Sequence, residues 1–250
     1  MSRGSDAERE FLEAYEPRDY PSIAVTVDLV VLAVAQGVLH AALVRRGGHP
    51  FKGMLALPGG FVAPRESAGD AAARELAEET GLDLGGLPAH IEQLASYSDP
   101  DRDPRMRVVS VAHLVLLASD GGALPGLSAG TDAASAAWHP VHAVLESPMA
   151  FDHATILRDG LERLAGKMEY TTVAAHLLPA EFTMTQLRSV YEAVWDTQLP
   201  AGNFTRKMLP HLAATGRKTQ PAVGAPAALF TAEQRHIHPP LSRRRTGPAG

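Results

Sequence analysis

Cysteine is missing from all 250 residues. Disulfides, cysteine-ligated zinc or iron–sulfur centres and thiol catalysis are therefore excluded. Long apolar runs are missing too. The most hydrophobic stretch, IAVTVDLVVLAVA from Ile23 to Ala35, is broken by Asp28 and is too short to span a bilayer, so no membrane segment is expected. The first twenty residues hold no apolar run of the kind that marks a secretory signal, and a cytoplasmic protein is expected. Aromatic residues are sparse at 6%, yet 45% of the chain is hydrophobic, enough to bury a core. Basic residues are scarce in the first part only. Residues 1–150 hold 11 Lys/Arg against 20 Asp/Glu, whereas residues 151–250 hold 12 against 8. Two domains with different partners fit that split; chance variation among helical surfaces is the alternative.

β-branched and alternating stretches predict strands at 23–34, 38–46, 54–62, 90–98, 106–118 and 133–141. Between them a helix is predicted from Ser67, whose hydroxyl caps it with Asp70 three residues on, through Leu76 and Ala77 to a stop at Gly81. Strands with interspersed helices imply an α/β layered domain over 21–150, preceded by a polar, partly loose extension at 1–20. Beyond it, 151–168 reads as a connecting helix. Leu187, Val190, Tyr191, Val194 and Trp195 recur at helical spacing and predict a helix over 182–195, capped by Thr183 or Thr185. A turn at LPAG leads to a second short helix, 203–212, starting at Asn203, and 215–218 with 223–230 reads as a hairpin. Two helices, a short turn and a hairpin make a winged helix-turn-helix layout over 169–232. Residues 233–250, with Arg243, Arg244 and Arg245, read as a disordered basic tail. Met106 and Trp138 are expected in the core, and His153 as a satisfied structural histidine without a chemical role.

The chemistry concentrates in GGFVAPRESAGDAAARELAEETGLDL, residues 59–84. On a helix Glu75, Glu78 and Glu79 share one side, where bare like charges repel. A hard divalent cation, Mg²⁺ or Mn²⁺, compensates such a set and bridges it to phosphate oxygens. A solvated helix face is the alternative reading of RELAEE alone. The spacing around it decides. Gly60, Glu66, Arg74-Glu75-Leu76, Glu78-Glu79 and Gly81-Leu82 stand at the intervals of a complete Nudix box. The first domain thus resembles the Nudix superfamily, which implies an α/β/α sandwich with a mixed sheet and cleavage of a nucleoside diphosphate linked to another moiety. The resemblance implies that Glu75, Glu78 and Glu79 bind metal and that Glu75 helps activate water. It further implies that Arg74 orients a glutamate, that Gly60 lends its carbonyl, and that Gly59 lies at the ligand. A further general base outside the box is not assigned; Asp120, Asp132 and Glu146 are the acidic residues on offer.

Arg102 and Arg105 flank Asp103-Pro104 in a loop between two strands. Guanidinium forks suit diphosphate oxygens, and a salt-bridged loop is the alternative. The RDPR segment resembles Nudix relatives that handle ADP-ribose, which implies ligand binding. In the basic half, Asn203, Thr205, Arg206 and Lys207 are expected at the N-terminal end of a recognition helix, with Arg217 and Lys218 on the wing against phosphates. From pattern alone, a helical cap or dimerisation module stays open. FDHATIL, LLPAEFTMTQLRSVYEAV and NFTRKML are similar to the C-terminal part of the NrtR family, Nudix-related transcriptional regulators of NAD metabolism. That resemblance implies a dimeric bacterial regulator, acting as a repressor, whose Nudix domain senses ADP-ribose or a related NAD metabolite while the winged helix binds double-stranded operator DNA. The chain departs from several such regulators in keeping its box intact, so an active Mg²⁺-dependent pyrophosphohydrolase with a dimerising C-terminal domain is the alternative. It also has Ala225 where a basic wing residue is expected.

Overall fold

A computed structural model describes residues 6–86, 88–119, 122–129, 133–220, 225–232 and 236–243. The first domain is built on a mixed sheet of β1 (Ala24–Ala35), β2 (Val38–Arg46), β3 (Leu55–Ala56), β4 (Gly59–Phe61), β5 (Ala89–Tyr97), β6 (Val108–Leu117) and β7 (Ala133–Pro140). Strand order runs β3-β2-β1-β6-β5, with β4 on β1 and β7 on β2. Only β1 and β6 pair in parallel; the remaining pairs are antiparallel. The expected third strand is interrupted at 57–58 and becomes β3 and β4, because its two ends join different partners.

β1 is buried from Val27 to Ala35, as a strand covered on both faces must be. Its side chains alternate between two cores. Val27, Leu29, Val31 and Ala33 pack with Ala71, Ala72 and Leu76 of α2 (Ala68–Thr80). Val30, Leu32 and Val34 pack on the other face, in one cluster with Ile156, Leu157 and Leu164 of α4 (His153–Tyr170); a short helix α3 (Val141–Leu145) precedes α4. The result is the expected α/β/α sandwich. Ser67 Oγ accepts from Asp70 N at 3.1 Å, and Gly81 ends α2 in a left-handed conformation.

The α4-side core does not stop at the sandwich. It continues into the second domain through α5 (Met184–Trp195) and α6 (Ala201–Met208). Tyr191 Oη donates to the Met168 carbonyl and Trp195 Nε1 to the Ala165 carbonyl, both at 3.1 Å. Phe204 of α6 meets the Tyr191 ring at 5.1 Å between centroids. Thr183 caps α5 in a full capping box with Gln186. The wing is a three-stranded sheet in the order β8 (Phe182–Thr183), β10 (Ala228–Thr231), β9 (Ala213–Lys218).

Several expectations need correction. The extension, expected to be partly loose, carries α1 (Asp6–Ala14) and a 3-10 turn at Pro17–Asp19, with every described residue up to Ser22 exposed. α6 begins at Ala201, two residues before Asn203, with the Pro200 carbonyl accepting from Phe204 N at 3.0 Å as its first helical bond. Met106 is 43% exposed and is not core. The tail is not loose over 236–243. Ile237 and Leu241 are buried, and their amides donate to the Tyr170 and Glu169 carbonyls at 2.7 Å. Arg243 bonds Glu162 of α4. Arg244 and Arg245 lie outside the described residues. Among the described residues no helix is long and apolar enough to cross a membrane.

α4 approaches the sheet through Gly160, where an added Cβ would lie 2.8 Å from Val30 Cγ1; at Gly166, six positions on, it would meet nothing within 4 Å. Gly160→Ala should therefore destabilise the protein by about 1–2 kcal/mol through overpacking. Gly166→Ala should stabilise it by about 0.5–1 kcal/mol through helix propensity. Denaturant midpoints of the two variants check the opposite signs.

Candidate functional site

The double glycine is explained by close approach. A Cβ on Gly59 would lie 2.1 Å from the Val27 carbonyl oxygen, and one on Gly60 2.2 Å from Glu75 Oε1. Only glycine lets β4 pass between β1 and α2. Gly59 N then donates to Glu79 Oε2 at 3.0 Å. Burial pushes the Glu79 pKa up to about 7 and the Glu75 charge adds to this, while the Gly59 bond and the Arg46 charge oppose it.

Arg74 is wholly engaged. Its Nε and one terminal nitrogen grip both oxygens of Glu66 at 2.8 and 2.9 Å, and that second nitrogen also reaches the Phe61 carbonyl at 3.1 Å. The other terminal nitrogen donates to Glu75 at 2.7 Å and Glu78 at 3.1 Å. With the Ala63 amide, Arg74 holds the Glu66 carboxyl down at about 2. Arg74 is thus a positioning residue that ties the box loop to the glutamates.

Gly59, Gly60, Glu75, Glu79, Arg102 and Arg105 line one cavity of about 470 Å³. Arg74 and Glu78 stand outside its lining, and Glu78 is 59% exposed at its side chain. Among the described residues no three acidic or histidine side chains converge as a preformed metal cluster. Two glutamates nonetheless share a half-buried wall at the expense of Glu79 ionisation, beside backbone held within a Cβ's width. These all-oxygen donors fit a divalent cation, with Glu78 as an exposed arm.

The floor of the cavity is a buried polar network. Arg102 is 5% exposed at its side chain and donates to Asp152 at 2.9 and 2.7 Å and to Asp28 at 3.1 Å. Asp28 also accepts from Ser110 Oγ at 2.5 Å and lies 3.2 Å from His153 Nε2. Burial pushes the Asp28 carboxyl up, but His153, Ser110 and Arg102 outweigh it and hold the group at about 2. Leu57 N donates to His153 Nδ1 at 2.8 Å, so the ring hydrogen sits on Nε2, facing Asp28. The Arg102 fork is therefore spent within the protein. Arg105 is held by Asp103 at 3.0 and 2.7 Å and stays 43% exposed at its side chain. Phe151 adopts φ 53, a conformation costing a non-glycine residue about 1–2 kcal/mol, and packs edge-on against Phe51 at 4.8 Å.

Asp28, Arg46, Phe61, Phe151 and His153 also line the cavity and are absent from the residues expected there. Asp28 carried a signal, a lone carboxylate inside an apolar strand. The other four carried none, since folding gathers them from three separate segments. Of the unassigned base candidates, Glu146 is exposed and away from the cavity, while Asp120 and Asp132 lie outside the described residues.

On α6, Asn203, Arg206 and Lys207 are exposed and Thr205 is half-buried, while Phe204 and Met208 point into the core. Asn203 and Arg206 are bonded at 3.1 Å. Arg206 and Lys207 stand in the last turn, not at the N-terminal end expected, because the helix runs only from Ala201 to Met208. On the wing, Arg217 pairs with Glu181 and Lys218 is exposed beside it. Ala225 is exposed as well.

Residues 23–160 match the NUDIX domain model, and residues 174–232 match the NrtR DNA-binding winged helix domain model. The chain is 34% identical over 205 residues to the ADPR responsive transcriptional repressor NtrR of Acinetobacter baylyi, covering 81% of this chain and 79% of that protein. The crystal structure of Shewanella oneidensis NrtR complexed with a 27mer DNA superposes with a TM-score of 0.74 at 30% identity, covering 87% of this chain and 99% of that one. The NUDIX domain of the same protein complexed with ADP ribose superposes at 0.56 and 32% identity, covering 63% and 98%. An ADP-ribose pyrophosphatase of Methanocaldococcus jannaschii is 42% identical over 117 residues, 47% of this chain and 63% of that protein. Nudix hydrolases as a class use divalent metal cations.

The raised Glu79 pKa makes stability depend on pH. Its folded value, about 7, lies above the 4.5 of a free glutamate, so the folded state keeps a proton that the unfolded state releases between those values. That contribution is complete below about pH 4.5 and is lost as pH rises to about 7. Melting temperature in a chelator should fall across this window, Glu79→Gln should lose that part of the slope, and a divalent cation at pH 8 should raise the wild-type value.

Proposed function

The chain belongs to the Nudix family and carries an NrtR winged helix domain, and on that premise we propose that it is an ADP-ribose-responsive transcriptional repressor of NAD metabolism genes. ADP-ribose or a related NAD metabolite occupies the cavity, and operator DNA meets α6 and the wing. The protein works in the bacterial cytoplasm as a homodimer, since a two-fold symmetric protein reads a two-fold symmetric site. Asn203, Thr205, Arg206 and Lys207 face the DNA groove and its phosphates. Lys218 and Arg217 extend the contact along the backbone, Arg217 by exchanging Glu181 for phosphate.

One observation carries the reading. α4 begins in the cavity and ends under the DNA-binding domain. Asp152 and His153, at its start, hold Arg102, Asp28 and the Leu57 amide. The Ala165 and Met168 carbonyls, three turns later, hold Trp195 and Tyr191. With 18 residues α4 spans roughly 27 Å. A ligand that shifts its first turn shifts the seat of α5 and α6, and so the spacing of two recognition helices in the dimer. That is a population shift between DNA-competent and DNA-incompetent states.

The intact box supports a second reading, slow Mg²⁺- or Mn²⁺-dependent hydrolysis of the same ligand. Glu75, Glu79 and Glu78 would hold the cation, which supplies charge neutralisation of the diphosphate and polarisation of water. Arg74 keeps the Glu75 carboxylate aimed at the cavity. A regulator with both properties removes its own inducer over time.

A double-stranded fragment selected by the protein from a random pool supplies the test. Saturating ADP-ribose should weaken its binding by about 5–150-fold in fluorescence anisotropy. Arg206→Ala with Lys207→Ala should weaken it without ligand and lower the salt slope by about 2. An unchanged DNA affinity across the titration contradicts the regulator. AMP released by the wild type and not by Glu79→Gln establishes the hydrolase.

A further inference from the structure

The C-terminal end of α4 is closed by chain from far along the sequence. Thr171 N donates to the Lys167 carbonyl at 2.9 Å and ends the helix. The carbonyls that follow have no donor inside a helix and must find one elsewhere. Met168 accepts from Tyr191 Oη of α5. Glu169 and Tyr170 accept from Leu241 N and Ile237 N, both at 2.7 Å. Ile237 and Leu241 are buried in the cluster that holds Met168, Tyr191 and Trp195, and His236 forms a β-bridge with Thr171. Arg243 then reaches two carboxylates of α4, donating to Glu162 at 3.0 Å and lying 3.7 Å from Glu169. The wing has need of such a hold. β9 and β10 contain no buried residue, and β8 offers β10 only two residue pairs. A small sheet with so little buried apolar surface is marginal by itself. Phe182 and the half-buried Phe230 join it to the core. β10 ends at Thr231, and by His236 the chain is paired with the end of α4. The segment lies past residue 232, where the match to the winged helix domain stops.

We propose that residues 236–243 form a strap that caps α4 and fixes the wing to it, with Arg243 as the latch, so that the wing moves with α4 and not independently of it. The tie itself stands on these contacts; its use in regulation rests on the functional reading above. A displacement of α4 then reaches the DNA-binding domain by two routes. One runs through Tyr191 and Trp195 to α5. The other runs through the strap to β10 and its partner β9, which carries Arg217 and Lys218. Two attachments on different sides of the domain fix its orientation, whereas one alone leaves it free to pivot.

Amide hydrogen exchange, resolved by residue on the full chain, tests the tie without ligand or DNA. Arg243→Glu sets a third carboxylate beside Glu162 and Glu169. It should speed exchange at Ile237 and Leu241 and, together with them, across β9 and β10, by about tenfold. Adding Glu162→Arg should recover part of the protection in both places. Faster exchange at Ile237 and Leu241 with β9 and β10 at wild-type rates overturns the proposal, as does wild-type exchange throughout in Arg243→Glu. DNA and ligand supply the second arm. ADP-ribose should bind Arg243→Glu within about twofold of its wild-type affinity, while the factor by which it weakens DNA binding shrinks. An unaltered factor overturns the regulatory use of the strap. If the wild type binds no ADP-ribose or shows no such factor, the functional reading fails separately, and the exchange result alone decides the tie.

Discussion

A buried carboxylate organises this protein. Asp28 lies on the central strand with its side chain on the α4 face, taken out of water among residues that are almost wholly apolar. Left alone it would be protonated or would destabilise the fold. Ser110 of β6, Arg102 of the loop after β5 and His153 of α4 converge to keep it ionised. Each comes from a different element, so one charge fixes how three segments meet. Removing a partner leaves an uncompensated buried charge, a loss on the order of 3–5 kcal/mol. The arrangement therefore resists small adjustment and favours a change of state when the balance is disturbed.

The two domains are joined by packing as well as by chain. One apolar cluster runs from β1 and β6 across α4 into α5 and α6. The polar contacts of α4 are placed at its ends, to the cavity at one and to Tyr191 and Trp195 at the other. A rigid helix between two polar anchors transmits displacement better than a flexible linker. Phe151 sits before the first anchor in a left-handed backbone conformation, held by Phe51, Arg46 and Arg105. Strain of this sort persists only where surrounding contacts enforce it. The segment 236–243 adds a strap, returning from the wing to α4 through Ile237, Leu241 and Arg243.

Legibility in the sequence followed the distance between cooperating residues. The box was legible because Gly60, Glu66, Arg74, Glu75, Glu78 and Glu79 lie within one loop and one helix, where spacing alone implies geometry. The layered domain was legible in the alternation of strand and helix patterns, and the sandwich through the resemblance that the box carries. Arg46, Phe61 and Phe151 were not legible, since nothing local distinguishes a cavity-lining arginine from one at the surface. The engagement of Arg102 was hidden for the same reason. An exposed RDPR loop suggests a free fork, and only Asp28 and Asp152, 74 and 50 residues away, reveal that it is occupied. The early start of α6 was hidden by LPAG, which reads as a turn, although the Pro200 carbonyl already accepts the first helical bond, from Phe204 N at 3.0 Å.

Coupling between cavity and winged helix is the central claim, and linkage makes it measurable in reverse. We would determine the affinity for ADP-ribose by calorimetry on the free protein and on the protein saturated with its DNA. If α4 joins the two sites, DNA must weaken ADP-ribose by the same factor by which ADP-ribose weakens DNA, and Asp152→Asn should bring the two affinities closer together. Identical ADP-ribose affinities with and without DNA would contradict the account, leaving a sensor pocket and a DNA-binding domain that share a chain without sharing a state.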